Sequence, residues 1–148
     1  MIALGIETSC DETSAAVVEQ TGDPERPWRL RSNVVASQVA LHRSWGGVVP
    51  ELSARQHIRD ICGVVDQALT DAGRPSVDVV AATQGPGLVG SLLVGLSFAK
   101  SYAWSLGVPL VPVHHLAGHI ESLVLADGEM SLPAVVLVVS GGHTSLYR

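Results

Sequence analysis

The hydrophobic and polar positions of the chain follow two patterns, short apolar runs and apolar residues at spacings of three and four. Each change from one pattern to the other marks the boundary of a predicted element. Short apolar runs bounded by turn residues predict strands. The segment Glu51–Ala72 instead carries apolar residues at spacings of three and four, which predicts an amphipathic helix. Its predicted buried stripe consists of Ala54, Ile58, Ile61, Val65 and Ala68. The other predicted elements are strands Met1–Glu7, Ser14–Glu19, Leu30–Val39, Val77–Thr83 and Val108–Val113, and a helix Ser91–Leu106.

This order of elements predicts an α/β layer fold. An opening antiparallel meander, whose third strand lies nearer an edge, is followed by strands that alternate with helices. The strands Val77–Thr83 and Val108–Val113 are wholly apolar runs, typical of buried parallel strands. The helix Ser91–Leu106 is apolar almost all round, so it lies either in the core or against a partner.

The end of the chain resembles its beginning. Pro133–Val139 predicts a strand, Ser140–His143 a tight turn, and Thr144–Tyr147 a returning strand. The first hairpin has the same order of apolar strand, small polar turn, Thr-Ser and strand, although so short a match also arises by chance. The duplication predicts one lobe in residues 1–132 and the start of a second, truncated lobe in residues 133–148.

Composition narrows the classes of function. The chain has 148 residues, 47% hydrophobic and 16% charged, with a formal net charge of −5. This composition predicts a globular protein. The negative net charge predicts that the chain binds nucleic acid poorly by itself, because phosphate contacts need clustered Lys and Arg. No apolar run is long enough to cross a bilayer, and no basic leader precedes the first apolar stretch. Cys10 and Cys62 form no CxxC pair, which favours free thiols in a reducing cytoplasm.

The segment His114-His115-Leu116-Ala117-Gly118-His119 carries the clearest chemical signal. On a helix, His115 and His119 lie one turn apart on the same face, where both can reach one metal ion. Imidazole suits iron, zinc and copper, so the spacing does not name the metal. The alternative is two polar residues on a surface helix. The HExxH motif of zinc proteases does not match, because Leu116 replaces its general base.

Three glycine- or hydroxyl-rich turns are candidate anion sites. Gly85–Gly90 fits GxGxxG, but the next strand lacks the acidic residue of a dinucleotide fold. We therefore interpret these glycines as allowing close packing of backbone. The tips Glu7–Glu12 and Ser140–Gly142 offer hydroxyls and backbone N–H groups for phosphate. Each alone also reads as an ordinary turn, but two such hairpins facing one another would hold a nucleotide between them.

Five motifs in order carry a resemblance to a known family. The chain resembles the TsaD family of bacterial tRNA threonylcarbamoyladenosine transferases, once labelled O-sialoglycoprotein endopeptidases. The resemblance covers the whole chain but only about the N-terminal half of the family's length. The motifs are Gly5–Thr13, Gly46–Glu51, Gly85–Leu88, His114–His119 and Val139–Thr144.

The resemblance implies an actin-like lobe, of the sugar-kinase, heat-shock chaperone and ribonuclease H-like type, beside a nucleotide cleft. It implies that His115 and His119 bind one divalent transition metal, iron with zinc as the alternative, with a further Asp ligand beyond residue 148. It also implies catalytic roles for Asp11 and Glu12. Contacts to threonylcarbamoyl-AMP or ATP are implied for Val138, Val139, Ser140, Gly141 and Gly142.

The implied reaction moves threonylcarbamoyl from threonylcarbamoyl-AMP to N6 of the adenosine 3′ of the anticodon in tRNAs that read ANN codons. The implied location is cytoplasmic, and the implied partners are tRNA, TsaB and TsaE, with a homodimer through apolar helices as a further option. The 148-residue chain alone is expected to be inactive. Two alternatives stay open: a metal-dependent glycoprotein endopeptidase, and a non-catalytic partner module of the TsaB type.

Overall fold

The computed structural model describes residues 1–128, 130–140 and 144–148. Its elements follow the predicted order with small shifts of boundary. The strands are β1 Ile2–Glu7, β2 Glu12–Gln20, β3 Trp28–Ser37, β4 Val79–Gly85, β5 Leu110–His114, β6 Val136–Val139 and β7 Thr144–Tyr147. The helices are α1 Val39–His42, α2 Pro50–Asp71, α3 Val89–Leu106 and α4 His115–Asp127, with a 3₁₀ turn at Arg43–Trp45.

Strands β1 to β5 form one mixed sheet in the order β3-β2-β1-β4-β5. The opening strands pair antiparallel, and β4 and β5 then add in parallel to β1. The carboxyl ends of β1, β4 and β5 therefore meet at one edge of the sheet. Two loops begin at this edge, the tip loop Thr8–Asp11 and the segment Pro86–Leu88. At the same edge β5 passes directly into α4 at His114 and His115. Open α/β sheets place their ligands at this edge.

Helices α2 and α3 pack on the sheet and enclose the core, but the buried face of α2 differs from the predicted stripe. Ile58 is 64% exposed, whereas Ser53 and His57 are fully buried at the same end of the helix. The buried face continues through Ile61, Val65 and Ala68, as predicted. The prediction of Ile58 was wrong because polar side chains can fill a core face when their hydrogen bonds are satisfied.

Strand β5 also departs from the prediction of a buried strand. It is the edge strand of the sheet, and Val111 is 45% exposed. An apolar run does not distinguish a covered strand from an edge strand, because the covering layer is a property of the tertiary fold. Helix α3 buries Leu92, Ala99 and Ala103 and leaves Trp104 86% exposed.

The last two strands, β6 and β7, form a separate antiparallel pair, with Val136 opposite Tyr147. The predicted returning hairpin is therefore present, and its turn residues Gly141 and Gly142 lie outside the described residues. The division into lobes at residue 132 stays a prediction. Within the described part of the chain, no helix is both long and apolar enough to span a membrane.

Candidate functional site

The histidine pair, His115 and His119, lies at the carboxyl edge of the sheet. β5 ends at His114 and α4 begins at His115, so the first two turns of this helix carry both rings at the carboxyl edge of the sheet. The ring centroids are 4.6 Å apart, with their planes at 80°. The Nε2 atoms lie 3.2 Å from each other. The two nitrogens therefore converge on one region of space at the rim.

The spacing of these nitrogens can be compared with that of metal ligands. Two nitrogens that each lie ~2.1 Å from one ion, at angles of about 90–110°, are separated by roughly 3.0–3.4 Å. The observed 3.2 Å falls in this interval. The described residues contain no group of three or more His, Cys, Asp or Glu side chains able to hold a metal. The pair thus fits two coordination positions.

Glu7 connects the tip loop to the histidine pair. It is the last residue of β1, and its carboxylate accepts hydrogen bonds from the Ser9 backbone N–H and the Thr83 hydroxyl. His115 Nδ1 lies 3.4 Å from Glu7 Oε2 and 3.2 Å from Ser9 Oγ. Burial raises the pKa of Glu7, but the bonds from Ser9 and Thr83 and the nearby His115 outweigh it, and the net pKa lies below its usual value.

The sequence pattern predicts Glu7 at the end of the first strand and in the tip Glu7–Glu12, but does not connect it with His115. Thr83 was assigned only to a strand. The signal that could have joined them is their position at the carboxyl ends of strands β1 and β4, which pair directly in parallel. The separation of 76 residues between Glu7 and Thr83 hides this relation in the sequence.

The two predicted catalytic carboxylates occupy different settings. Asp11 is half-buried in the tip loop, and its backbone carbonyl accepts a hydrogen bond from the Gln38 N–H at 2.9 Å. Glu12 begins β2, opposite Ser37, with an exposed side chain. The acidic tip is therefore shorter than the turn Thr8–Thr13 that the sequence predicts. Neither carboxylate is hydrogen-bonded to His119 in the described part of the chain.

Cys10 does not offer a nucleophile at this site. Burial of the thiol, together with the neighbouring Asp11 carboxylate, raises the pKa of Cys10 to about 11. The thiolate is the reactive form of cysteine, so this pKa disfavours a nucleophilic role for Cys10 at neutral pH. Cys10 and Cys62 are both free, as the sequence predicts.

The predicted substrate-binding residues on and after β6 differ in solvent exposure. Val138 is buried, Val139 is 68% exposed, and Ser140 follows β6 in a half-buried position. The remaining predicted contacts, Gly141 and Gly142, lie outside the described residues.

The tip loop rests on a buried polar cluster, defined here as Thr13, Gln38, Ser53, His57 and Ser91. His57 Nε2–H donates to the Cys10 carbonyl at 3.1 Å, and the Thr13 hydroxyl donates to Nδ1 at 2.8 Å. The Ser53 hydroxyl also donates to the Cys10 carbonyl. Burial lowers the pKa of His57, so its ring is neutral. No local sequence pattern predicts this cluster, because it joins residues from four separate segments.

The cluster extends to the loop before α2. Gln38 Nε2 lies 3.4 Å from His57 Nδ1, and Gln38 Oε1 accepts a hydrogen bond from His42 Nε2 at 3.1 Å. His42 Nδ1 in turn accepts from the Val49 N–H at 3.3 Å. Each member has a partner of the opposite polarity, which is how polar groups are tolerated in a protein interior.

The glycines of the GxGxxG segment allow α3 to approach the tip loop closely. The Leu88 N–H donates to the Ser9 carbonyl at 2.7 Å. A Cβ on Gly87 would lie 2.6 Å from that carbonyl oxygen, and a Cβ on Gly95 would overlap Thr8 Oγ1. The interpretation of the motif as close packing is therefore confirmed at Gly87, whereas a Cβ on Gly85 would meet nothing within 4 Å. Gly95 lies outside the motif and brings α3 against Thr8.

A groove of about 490 Å³ opens beside the histidine pair, which is the size range of small-molecule sites. Its walls are mostly apolar and come from the open face of the sheet and from α4. They include Glu7, Ala16, Asn33, Thr83, His115 and His119. A second cavity of about 480 Å³ lies at the opposite end of the sheet and contains none of the predicted site residues.

Two solved structures have folds similar to that of this chain. The fold resembles YeaZ from Pseudomonas aeruginosa, with a TM-score of 0.58, 18% identity, and coverage of 99% of this chain and 64% of that one. It also resembles Thermus thermophilus RuvC in complex with a Holliday junction substrate, with a TM-score of 0.53, 18% identity, and coverage of 84% and 71%. These likenesses confirm the predicted actin-like, ribonuclease H-like fold class.

Sequence comparison is more specific. A family profile described as TsaD, tRNA N6-adenosine threonylcarbamoyltransferase, matches residues 29–148. The relative of that name from Syntrophobacter fumaroxidans is 56% identical over 150 aligned positions, which cover 100% of this chain and 42% of the relative. The one from Moorella thermoacetica is 55% identical, over 97% and 41%. The chain thus spans less than half the length of these relatives, and it belongs to the tRNA N6-adenosine threonylcarbamoyltransferase family.

Proposed function

We propose that this chain supplies the first lobe of a tRNA threonylcarbamoyltransferase and half of its metal centre. The reaction would transfer threonylcarbamoyl from threonylcarbamoyl-AMP to N6 of the adenosine 3′ of the anticodon in ANN-reading tRNAs. The observation that supports it best is the convergence of His115 and His119, with Nε2 atoms 3.2 Å apart, beside a groove at the carboxyl edge of the sheet. Family membership supplies the reaction class.

The two imidazoles fit a divalent transition metal, with iron proposed and zinc as the alternative. When bound, such an ion acts as a Lewis acid and as a template that orients the substrate. His115 and His119 would hold it through Nε2. Further ligands must come from outside the described residues or from the substrate, because this part of the chain offers no third protein ligand beside the pair.

The remaining proposed roles fall on the tip loop, on the first residue of β2 and on residues 138–142. The N6 amine loses a proton when it attacks the carbamoyl carbon and AMP leaves, and Asp11 is proposed to accept that proton or to orient the amine. Glu12 is proposed to assist from the start of β2. Val138, Val139 and Ser140, with Gly141 and Gly142, are proposed to contact the adenylate, and ATP is an alternative occupant of the same site.

The partners and location follow from the family in the same way. We propose tRNA as the substrate and TsaB and TsaE as protein partners in a cytoplasmic assembly. The exposed apolar residues of α3, Val89, Leu93 and Trp104, support a protein interface on this helix, which a second copy of the chain could also fill.

The metal is tested by binding measurements on a full-length family protein that carries this N-terminal sequence. We expect tight anaerobic binding of one ferrous ion, and at least a 100-fold loss of affinity in His115→Ala or His119→Ala. His114→Ala is the matched control, because His114 is the adjacent imidazole on β5 and should leave the affinity unchanged. Equal affinities in all four proteins would exclude the histidine pair as a metal site.

The role of Asp11 is tested by Asp11→Ala in the same full-length protein. We expect transfer to tRNA to fall by at least 100-fold while ferrous binding is retained, because Asp11 is proposed to act on the amine. Near-normal transfer with intact metal binding would remove Asp11 from the mechanism.

The 148-residue chain is proposed to be inactive alone and to bind the metal weakly. Titration calorimetry with ferrous or zinc ions tests this, and tight binding by the chain itself would contradict it.

A metal-dependent endopeptidase is disfavoured, since Leu116 occupies the position of the protease base. Incubation of the full-length protein with a glycoprotein, with and without chelator, would reveal such an activity. A non-catalytic module would bind no metal at His115 and His119.

A further inference from the structure

The carboxylate of Glu7 is held in one position. Its Oε1 accepts the Ser9 backbone N–H, and its Oε2 accepts the Thr83 hydroxyl from the neighbouring strand. Thr83 belongs to β4, the parallel neighbour of β1, and Ser9 lies in the tip loop directly after β1, so the carboxylate is fixed from the sheet and from the loop. Each carboxylate oxygen has more than one lone-pair direction, so Oε2 remains an acceptor for a further donor.

That further donor is His115. Its Nδ1 lies 3.4 Å from Glu7 Oε2 and 3.2 Å from Ser9 Oγ. A neutral imidazole carries one N–H, and its tautomer is set by what the nitrogens face. An Nδ1 lone pair would repel the carboxylate, whereas an Nδ1–H group donates to it. This assigns the proton of His115 to Nδ1 and leaves the lone pair on Nε2.

The Nε2 lone pair is on the side of His119, whose Nε2 lies 3.2 Å away. Glu7 is on the opposite, Nδ1 side of the ring, so it is not placed to share a metal ion with the pair. Metal-binding histidines commonly donate their second N–H to a carboxylate, which fixes the tautomer and raises the basicity of the ligand.

We propose that Glu7 is a positioning residue, which holds His115 in the Nδ1–H tautomer and directs its Nε2 toward the metal position shared with His119. Thr83 and Ser9 support this role by fixing the carboxylate. The inference rests on the proposed metal centre for its consequence, but the tautomer itself is a property of the metal-free chain.

The first test is the imidazole ¹⁵N–¹H NMR spectrum of the metal-free chain, wild type and Glu7→Gln. We expect His115 to be the Nδ1–H tautomer in the wild type. In Glu7→Gln the side-chain NH₂ can donate to Nδ1, and this favours the Nε2–H tautomer. An unchanged His115 tautomer in the variant, or an Nε2–H tautomer in the wild type, would overturn the proposal.

The second test is ferrous affinity in a full-length family protein that carries this sequence. Loss of a carboxylate partner of a ligating histidine reduces metal affinity by roughly 10–100-fold. We expect such a loss in Glu7→Gln, and a smaller one in Thr83→Val, which loosens the carboxylate without removing it. If Glu7→Gln does not fold, Thr83→Val carries the same prediction. Wild-type affinity in the folded variants would contradict the role of Glu7.

The controls separate this inference from the metal centre. If His115→Ala binds as tightly as the wild type, the metal centre is wrong, and the NMR result still decides the tautomer. If His115→Ala loses the metal but Glu7→Gln binds it normally, the centre stands and the positioning role fails. A thermal unfolding midpoint near that of the wild type shows that a change of affinity in Glu7→Gln is local.

Discussion

Two histidine sites contact the tip loop, His57 at the Cys10 carbonyl and His115 at the Ser9 hydroxyl, and their surroundings differ. His57 is fully buried, and both of its ring nitrogens are bound by the protein, to Thr13 on one side and to the Cys10 carbonyl on the other. His119 is exposed, and its Nε2 faces the Nε2 of His115. In the first site the partners of the ring have complementary polarity. In the second, two nitrogens of the same kind point at each other.

This difference shows what separates a structural histidine from a candidate ligand. A buried neutral ring with a donor on one side and an acceptor on the other stabilises the fold, because removal of either partner leaves a polar group unsatisfied. Two converging ring nitrogens at a rim stabilise little by themselves, since one must carry a proton or both must share a cation. The buried polar cluster therefore supports the tip loop, and the histidine pair remains available for chemistry.

The largest predicted effect is on the buried side. His57→Leu leaves the Cys10 carbonyl and the Thr13 hydroxyl without this partner, so we expect a loss of about 3–4 kcal/mol in the free energy of unfolding. His119→Leu, on the exposed face of α4, should change it by less than about 0.5 kcal/mol. Urea denaturation of the chain measures both. Equal losses would show that the two sites do not differ in this way.

With a metal bound, His119 should also contribute to the free energy of unfolding. In a full-length family protein, ferrous ion at 100 times its dissociation constant should stabilise the native state by about 2.7 kcal/mol. His119→Ala should abolish this gain, while His114→Ala should keep it. The rise in thermal unfolding midpoint with added metal is the measurement. A gain that persists in His119→Ala would place the binding site elsewhere.

Gly95 beneath the tip loop and Gly118 between the paired histidines differ in the space around their Cα atoms. A Cβ on Gly95 overlaps Thr8 beneath the tip loop, so we expect Gly95→Ala to cost about 2 kcal/mol through overpacking. Gly118 lies between the paired histidines, and a Cβ there meets nothing within 4 Å. Gly118→Ala should therefore stabilise α4 by about 0.5–1 kcal/mol. Denaturation of both variants checks the opposite signs.

The smallest predicted effect is the pH dependence of stability. Burial lowers the pKa of His57, and the negative charges of Asp60, Glu7 and Asp11 raise it without offsetting burial. The unfolded chain takes up this proton near the ordinary pKa of 6.5, and the native chain takes it up only at lower pH. This contribution to stability is complete above about pH 6.5 and is lost as the pH falls below it.

Unfolding free energies at a series of pH values between 7.5 and 5 measure this slope. His57→Gln removes the titrating group and should flatten the decline in that window. An unchanged slope in this variant would assign the pH dependence to other groups.

Much of the fold could be predicted from the sequence because its signals are local. The apolar runs located β1, β3 and β4, and the spacing of three and four located α2, with Pro50 at its start. The interpretation of the GxGxxG segment as close packing is correct at Gly87 but not at Gly85, where a Cβ meets nothing within 4 Å. The predicted face of α2 was wrong at Ile58, because the burial of His57 in its place depends on Gln38, Thr13 and Cys10, which lie 19 to 47 residues away in the sequence.

The candidate site also has a part that local spacing predicts and a part that it does not. The helical spacing of four residues placed His115 and His119 side by side without knowledge of the rest of the chain. Glu7 could not be connected with them, because 108 residues separate it from His115 and only the parallel order of β1, β4 and β5 brings the two together.

The sequence alone determined which segments are helices and strands, and which two imidazoles share a helical face, since both depend on periodicity within a few residues. The tertiary structure decided which histidine is buried, which carboxylate faces the pair, and which glycines press against the tip loop. Those choices depend on the order and direction of strands in the sheet, because only the assembled sheet brings residues from distant segments within hydrogen-bonding distance.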